Sequence, residues 1–405
     1  MKEKIFSKYQ IFLITMLALL NFLVFLDFVI LTPLGPVLLK ELSIGTKQYG
    51  WAVSSYAFCA AISGFLAAGF ADRFDRKKML LVFLVGFILG TGMCAIASNY
   101  NLFILGRIVA GIFGGVLGGI SFAIISDVFK MEVRGRVMGF VQMAPGLAQI
   151  LGIPVALLAA TYISWHASFW IIVAIASLYV IVASIYMKPI NEHLKAPSKS
   201  NAISHLLKTL AKPRYMIAYA SSMILMLAVW MIMPFNTVFI TNNVGISMSQ
   251  LPLLYLISGI FTFVSAPFIG KWADKFGKYK VLLIVSILSL VIIPIFTQLT
   301  VTSFWVFTLL NIMFFTLLGG RMISLNTLIT GIPQPQDRGA FMSINASIQQ
   351  LAGGIAAGIT GIIVTQASDG KILNYDILGY CLMATVIIVL LLAFIVNKLI
   401  LSKLK

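Results

Sequence analysis

The sequence ADRFDRKKMLL (71–81) returns little changed in the second half of the chain as ADKFGKYKVLL (273–283). A second pair lies at nearly the same distance: RGRVMGF begins at Arg134 and RGAFMSI begins at Arg338. The two offsets, 202 and 204 residues, are close to half of the 405-residue chain. Similarity at a fixed period indicates a repeated structural unit. The sequence therefore predicts two parallel repeats, one in each half.

Around these repeats the chain is strongly apolar, with 60% hydrophobic and only 10% charged residues. Soluble domains carry about 25% charged residues, so this composition excludes an ordinary soluble protein. A helix needs about 20 apolar residues to cross a bilayer. A chain of 405 residues holds about a dozen such helices with their loops,. We predict an all-α polytopic membrane protein.

Charges, prolines and glycines divide the apolar sequence into twelve predicted spans. These are about 11–37, 48–71, 78–98, 101–127, 137–161, 166–187, 214–241, 249–270, 280–299, 303–331, 340–366 and 376–401. We predict an N-terminal six-helix half (1–187), a polar linker (188–213) and a C-terminal six-helix half (214–405), related by pseudo-symmetry. Part of the linker, 201–212, could form a short amphipathic helix on the membrane surface.

The basic residues predict the orientation in the membrane. Of the 29 Lys and Arg, only Lys40, Lys47 and Lys371 fall in loops on the side away from the termini and the linker. Cytoplasmic loops are enriched in Lys and Arg, so we expect both termini and the linker to be cytoplasmic. The net charge of +17 is then explained by topology and by contact with anionic lipid,. We expect no nucleic-acid partner.

Nothing in the sequence predicts enzyme chemistry. The three histidines, His166, His193 and His205, fall in loops or in the linker and form no triad or metal-binding pattern,. A G-x-x-x-x-G-K-[ST] loop for nucleotide binding is also missing from the sequence,. We therefore expect no catalytic residue, no metal and no cofactor.

One carboxylate, Asp27, lies in the apolar run LNFLVFLDFVILTPLGPVLL (20–39), and it is the one acid of 12 that the predicted spans place well inside the membrane. A charge there costs about 2.5–3.5 kcal/mol on insertion scales. Asp27 could carry protons by binding them on one side and releasing them on the other. Alternatively, it is a structural acid near a helix break, or it is permanently paired with Arg107. A pair that breaks on protonation would combine both roles.

Arg107 begins a strip of small residues on predicted helix 4. Its long side chain could snorkel to the outer interface. However, Gly111, Gly114 and Gly118 recur at helical spacing, which favours close approach of another helix and an Arg107 that faces protein. We expect Gly354 and Gly358 in helix 11 to serve packing in the same way.

Charged residues cluster in the two repeated loops and at the helix ends beside them. Charges that pair in one conformation and separate in another can latch a two-state protein. Alternatively, they are ordinary juxtamembrane charges that fix the topology. The predicted gate residues are Asp72, Arg73, Arg76, Asp127 and Arg134 in the first half and Asp274, Lys275 and Lys278 in the second.

These loops resemble those of the major facilitator superfamily, and within it the twelve-helix bacterial drug and sugar efflux permeases. GFADRFDRKK matches the loop signature G-x-x-x-D-[RK]-x-G-[RK]-[RK], except that Asp75 replaces the glycine that the second copy keeps as Gly277. LGRIVAGIFGG resembles the helix 4 signature, and APGLAQILGIPVA resembles the antiporter signature of helix 5 only in part. The resemblance implies the major facilitator fold, a bacterial inner-membrane location, drug:proton antiport and a monomer.

It also implies a central cavity between helices 1, 4, 7 and 10. Apolar and methionine-rich surface with few polar groups suits amphipathic substrates, although most such residues in any helix bundle are core. Candidate substrate residues are Trp230, Met233, Phe235, Asn236, Asn311, Arg321 and Asn326. Arg321 either faces this cavity and attracts an anionic group, or bonds carbonyls or a neighbour such as Gln349 or Gln350.

The resulting hypothesis is a secondary transporter that uses the proton gradient as its energy source and exports small amphipathic molecules. Its partners are a small-molecule substrate, protons and the lipid bilayer. The alternatives are uptake or facilitated transport of a polar or anionic metabolite, and a lipid or glycolipid flippase. A non-transporting membrane receptor or scaffold would leave Asp27 and Arg107 freely replaceable.

Overall fold

The computed structural model describes residues 6–195, 207–334 and 337–401. Within these ranges it does not describe the side chains of residues 68–70, 72, 131–132, 193 and 195. The first half of the predicted surface helix, 201–206, and the side chain of the predicted gate residue Asp72 therefore lie outside the described part of the chain.

The described residues contain twelve helices that are long and apolar enough to cross a bilayer, which confirms the predicted fold class. They are α1 (Lys8–Glu41), α2 (Thr46–Ala67), α3 (Arg76–Ala95), α4 (Tyr100–Val128), α5 (Val133–Tyr162), α6 (Trp165–Tyr186), α7 (Pro213–Asn242), α8 (Leu251–Phe276), α9 (Lys278–Thr297), α10 (Phe304–Ile329), α11 (Arg338–Ile363) and α12 (Tyr375–Leu401). Six helices precede the polar segment and six follow it.

Successive helices alternate in direction, so the start of α1, the segment after α6 and the end of α12 lie on one side of the bundle, called the linker side. The other side is called the far side. There a short antiparallel hairpin, β1 (Thr365–Gln366) and β2 (Ile372–Leu373), joins α11 to α12. Asn243, at the end of α7, holds this hairpin through hydrogen bonds with both the carbonyl and the N–H of Ile372.

The two repeated loops turn differently because one residue differs. Gly277 ends α8 with a φ of 99°, a conformation that glycine adopts without a steric penalty,. Asp75, at the matching position of the first loop, has a φ of −57°. Its carboxylate accepts from the N–H of Lys78, which caps α3, and from the N–H of Ile190 beyond α6,. Asp75, which stands where the second loop has glycine, therefore ties the first loop to the linker.

Two of the spanning helices are interrupted near mid-membrane. α1 consists of Lys8–Val29 and Leu31–Glu41, which meet at Ile30. α5 contains a π-helical turn, Ala148–Gly152, between two prolines of the same helix. π-helical turns and prolines bend helices and free backbone groups, and they are frequent at functional sites.

On the far side, α2 of the first half packs tightly on α11 of the second. A Cβ atom on Gly50 would lie only 2.8 Å from the Cα atom of Gly361, so only glycine allows this approach. Ser54 donates a 2.8 Å hydrogen bond to the carbonyl of Gly354, and a Cβ on Gly358 would lie 3.3 Å from the same hydroxyl. As predicted, Gly354 and Gly358 lie at a helix-packing surface.

A second contact between the halves joins α1, α2 and α7 on the far side. The hydroxyl of Tyr49 donates to the carbonyl of Leu31 at 2.7 Å and approaches that of Pro234 at 3.1 Å. The largest buried apolar cluster runs from the first half into α7, whereas a separate cluster around Tyr219 and Phe341 fills the linker side of the second half. The halves are thus joined on the far side.

The predicted glycine strip of α4 has two different surroundings. Gly111 and Gly114 face Tyr56 of α2. A Cβ added to Gly111 would lie 2.6 Å from the Tyr56 carbonyl oxygen, and one added to Gly114 would lie 2.5 Å from the Tyr56 hydroxyl. Gly118 has no atom within 4 Å of an added Cβ. The packing role predicted for Gly118 is wrong in this conformation, because the helices separate toward the linker side and leave it facing a cavity.

Candidate functional site

A fully buried ion pair joins α1 to α4. The Nη1 atom of Arg107 donates a 3.1 Å hydrogen bond to Oδ2 of Asp27 and a second one, 3.0 Å long, to the Asp27 carbonyl. The hydroxyl of Thr91 in α3 donates to Oδ1 of Asp27 at 3.1 Å. Both charged side chains have 0% exposure. The predicted Asp27–Arg107 pair is therefore present, and Arg107 faces protein rather than the interface.

One tyrosine lies between this ion pair and open space. The guanidinium carbon of Arg107 lies 4.4 Å from the ring centroid of Tyr56, a cation–π contact,. Within the described part of the chain, Nε and Nη2 of Arg107 and the Tyr56 hydroxyl have no hydrogen-bond partner. Tyr56 also lines a cavity between the halves. A movement of its ring would connect the ion pair to that cavity.

This first cavity, called the linker-side cavity, has a volume of about 560 Å³. Its wall combines residues of both halves, chiefly Asn21, Phe25, Tyr56, Gly118, Pro145 and Gln350. It lies on the linker side of the contacts that close the far side. The arrangement is that of a two-halved protein closed at one membrane face.

A second cavity of about 490 Å³, called the central cavity, lies between α1, α5, α7, α8 and α10. Its polar lining residues include Thr32, Gln149, Tyr255, Ser258 and Asn311. Nδ2 of Asn311 donates to the Ser258 hydroxyl at 2.7 Å, and its Oδ1 has no partner among the described residues. No charged side chain of the described chain lines either cavity. The surroundings suit an uncharged or amphipathic molecule.

Among the predicted substrate residues, Met233 and Asn311 line the central cavity. The Trp230 ring packs on Phe28 of the linker-side cavity, with centroids 4.6 Å apart. Asn326 accepts a long, 3.4 Å hydrogen bond from Gln349.

Two other predicted substrate residues lie outside both of these cavities. Phe235 is fully buried and packs edge-on against Tyr49. Asn236 lies 3.4 Å from the hydroxyl of Tyr375. The prediction failed for both residues for one reason. They belong to α7, most of whose residues are packed between neighbouring helices.

The sequence prediction missed Gln149 and Tyr255. Both are polar residues in the middle of otherwise apolar helices, α5 and α8, which is a visible signal. The resemblance implied a cavity between four helices, whereas the kinked α5 and the adjacent α8 also line it.

Arg321 does not face either central space, which corrects the prediction that it binds substrate. It lies ten residues from Asn311 on α10, and at about 100° per residue its side chain points roughly 80° away from that of Asn311. It is fully buried and lines a separate cavity of about 200 Å³ inside the second half, between α9, α10 and α12. Neither Gln349 nor Gln350 bonds it among the described residues.

Charges on the linker side of the first half form a cluster within that half. Arg76 of α3 makes a 2.9 Å ion pair with Asp127 of α4 and donates to the carbonyl of Ala71 at 2.7 Å. Arg134 of α5 donates to the carbonyls of Phe129 and Ser126. Three helices and two loops are thus fastened at one point.

The second half uses different residues from those predicted. Asp274, Lys275 and Lys278 make no hydrogen bond or ion pair with other described side chains, and Arg73 of the first loop is exposed. Instead, Asp337 accepts from Lys212 at 2.5 Å and from the Tyr215 hydroxyl at 2.7 Å. This hydrogen bond raises the pKa of the Lys212 ammonium. A gate that includes Asp274, Lys275 and Lys278 stays a prediction for the opposite conformation.

Two pseudo-symmetric helical halves, closed against each other at one membrane face and enclosing cavities at their interface, define a class of multi-pass membrane transporters that alternate between two openings. The model of the Major Facilitator Superfamily matches residues 17–226 and 218–403. The chain belongs to this superfamily, whose fold and activity are those of transporters.

Curated relatives include several transporters of Bacillus subtilis (strain 168). The chain is 25% identical to the uncharacterized MFS-type transporter YceJ over 264 residues, which are 65% of this chain and 67% of that protein. It is 35% identical to Multidrug resistance protein 3 over 149 residues, 36% of this chain and 29% of the relative. With Multidrug resistance protein 2 it shares 22% identity over 75% of this chain and 78% of that protein.

Solved structures share the fold at low sequence identity. A bacterial homologue of the human lysosomal transporter Spinster, in an inward-facing and unoccupied conformation, superposes with a TM-score of 0.77 at 16% identity, covering 98% of this chain and 99% of the other. A D-xylose-proton symporter gives a TM-score of 0.76 at 18% identity, covering 94% and 97%.

Proposed function

We propose that this protein is a proton-coupled secondary active transporter that exports small amphipathic molecules by alternating access. The observation that carries the proposal is the fully buried Asp27–Arg107 pair, separated from the linker-side cavity by the Tyr56 ring. Two of the relatives are named as multidrug resistance proteins, which supports export. We further propose that it works as a monomer in a bacterial inner membrane, with the linker side in the cytoplasm.

The lining of the cavities supports the proposed substrate class. Their walls combine apolar side chains with a few hydroxyl and amide groups and carry no charge among the described residues. A buried charge on the substrate would therefore lack a counter-charge, which is costly. Because Arg321 lies elsewhere, the reason to favour an anionic substrate is lost. Neutral amphipathic molecules fit best.

The opposite charges of Asp27 and Arg107 would couple proton binding to the conformational change. While Asp27 is ionised, it holds α1 to α4 through Arg107 and to α3 through Thr91. Protonation of Asp27 removes the charge that compensates Arg107, so the guanidinium becomes free to seek other acceptors. α1 is interrupted at Ile30, three residues after Asp27. The part of α1 beyond this break is joined to α7 through the hydroxyl of Tyr49 in α2. A proton bound at Asp27 can thus change the contact between the halves.

A second candidate function is uptake of a polar, uncharged metabolite. The amide and hydroxyl groups of Gln149, Tyr255 and Asn311 on one cavity wall favour it, since such groups recognise hydroxyl-rich molecules,. The structural similarity to a D-xylose-proton symporter agrees with this alternative.

The test uses proteoliposomes that contain a pH-sensitive dye. A panel of cationic, neutral and anionic amphipathic compounds and of neutral sugars is added, and proton flux is recorded for the wild type and for Asp27→Asn. A matched control is Glu41→Gln, which neutralises an exposed acid outside both the buried ion pair and the predicted gate. We expect compound-dependent flux in the wild type and the control and none in Asp27→Asn.

Two results would contradict the proposal. Full gradient-driven transport by Asp27→Asn would remove this carboxylate from the mechanism. Proton flux with sugars alone would replace export of amphipathic molecules by the alternative function.

A further inference from the structure

Arg321 has an arrangement that the proposed transport function does not use. Its side chain has 0% exposure, and Nε, Nη1 and Nη2 all lack a hydrogen-bond partner in the described part of the chain. Side chains of a helix lean toward its N-terminus, so the guanidinium reaches back along α10 toward Phe314 and Leu318,. There it lines the small cavity shared with α9 and α12.

Among the described residues, no carboxylate makes a hydrogen bond or an ion pair with this charge. Residues 278–334, which contain α9 and α10, include no Asp or Glu, and neither do α7 and α11. α12 has one acid, Asp376, in its first turn at the far side, and it makes no ion pair with Arg321. A guanidinium cannot lose its proton at ordinary pH, so burial without a counter-charge is strongly unfavourable.

The cavity beside Arg321 limits what the counter-charge can be. A water-sized sphere has only about 10 Å³ of room there, which is about the space that one water molecule needs and far too little for a drug-sized ligand. The lining is apolar except for Arg321 and Ser289. The Ser289 hydroxyl already donates to the carbonyl of Val285. The free donors at this cavity are therefore those of the Arg321 guanidinium, which suits a small anion,.

We propose that Arg321 binds one small inorganic anion, chloride, in the cavity between α9, α10 and α12. The anion balances the buried charge and holds these three helices of the second half together. It is a structural ligand and not the transported substrate, because the site is separate from both cavities between the halves. The proposal is independent of proton coupling and of the substrate class.

The first test measures thermal stability of the purified wild-type protein in detergent while sodium chloride replaces sodium gluconate at constant ionic strength. Gluconate is too large for the cavity. A ligand that binds only the folded protein raises its stability by mass action, so we expect the Tm to rise by a few degrees as chloride reaches about a hundred times its Kd. Bromide should substitute for chloride.

Variants separate site binding from general salt effects. Arg321→Gln should lose the chloride dependence and, in gluconate, should be more stable than the wild type because the unbalanced charge is gone. Lys275→Gln, which removes an exposed positive charge, should keep the wild-type dependence. Equal wild-type Tm values in chloride and gluconate, or an undiminished chloride effect in Arg321→Gln, would overturn the proposal.

A direct measurement covers the case in which Arg321→Gln does not fold. Wild-type crystals grown in sodium bromide should show an anomalous peak within hydrogen-bond distance of the Arg321 guanidinium. A bromide peak supports the site, and the lack of a peak in otherwise well-ordered density overturns it in favour of bound water.

Discussion

The Asp27–Arg107 pair predicts an unequal effect of removing its two members. A carboxyl group left alone in the membrane can lose its charge by taking up a proton, whereas a guanidinium cannot. Asp27→Asn therefore leaves a buried positive charge with no counter-charge. Arg107→Met leaves an acid that can become neutral. We expect Asp27→Asn to be the more destabilising change.

The contacts of the ion pair give the expected loss of stability in each variant. The Asp27 carboxylate accepts hydrogen bonds from Arg107 and Thr91. A hydrogen bond to a charged group contributes about 1.5–3 kcal/mol, and breaking a fully buried ion pair costs about 3–5 kcal/mol. We expect Asp27→Asn to lower the stability by about 3–5 kcal/mol. For Arg107→Met we expect a smaller loss, of about 2 kcal/mol, from the lost hydrogen bonds and the contact with Tyr56.

The double variant Asp27→Asn/Arg107→Met provides the decisive comparison. It removes both charges, and apolar replacements of buried ion pairs are often neutral or even stabilising. We expect it to be more stable than Asp27→Asn alone, with a coupling energy of about 2–3 kcal/mol.

The assay is unfolding of the four proteins in mixed micelles, followed by tryptophan fluorescence at increasing denaturant. If the double variant is less stable than both single variants, or if Asp27→Asn is as stable as the wild type, the reasoning about a buried charge pair is refuted. The folded double variant also serves the transport assay, because it separates loss of proton coupling from loss of structure.

Three further predictions concern the linker side, the far side and the central cavity. Asp337→Asn should lower the Tm at neutral pH and also change its pH dependence. Because Asp337 raises the Lys212 pKa, the contribution of this ion pair to wild-type stability is full below the unfolded-state pKa of about 10.4,. It is lost as the pH rises through the higher folded-state pKa. Thermal scans into the alkaline range should show this loss only in the wild type. Gly50→Val should force α2 from α11 and open the far side, seen as faster maleimide labelling of a cysteine introduced in the central cavity. Gly270→Val, where an added Cβ meets no atom within 4 Å, should leave labelling unchanged, and equal rates in both variants would contradict the closure described above. Asn311→Leu should weaken binding of a substrate that donates a hydrogen bond to its free Oδ1 by about tenfold, equal to about 1.4 kcal/mol, in an equilibrium binding assay,; unchanged affinity for every such substrate would place the binding site elsewhere.

The membrane spans could be predicted because they depend on local composition. Each span is a run of apolar residues ended by charge, Pro or Gly, and each of the twelve spanning helices of the described chain overlaps one predicted run. The repeated loops likewise revealed the two halves without any knowledge of packing. Such features follow from the length and polarity of a segment, which a sequence displays directly.

Buried polar residues were harder to place, and the two arginines show why. Arg107 was correctly paired, because α4 shows its packing face through recurring glycines and Asp27 was the one deep acid available. Arg321 has no such signal. A rotation of α10 by a quarter of a turn would bring Arg321 into the central cavity. The sequence does not fix this rotation, because α10 has apolar residues on every face.

The linker-side charges show a second limit. Symmetry between the repeats predicted that Asp274, Lys275 and Lys278 would repeat the cluster of Arg76 and Asp127. Instead, Asp337 binds Lys212 and Tyr215. Similar loop sequences do not impose similar contacts, because the partners come from segments that differ between the halves.

The sequence by itself determined the number of helices, their repeat and the sides on which basic loops lie, since hydropathy and charge act locally along the chain. Only the tertiary structure decided which polar groups meet. Asp27 and Arg107 are 80 residues apart, and their contact depends on the rotation and the separation of two helices. The far-side closure, the cavities and the isolation of Arg321 have the same origin, because each depends on how distant helices pack against one another.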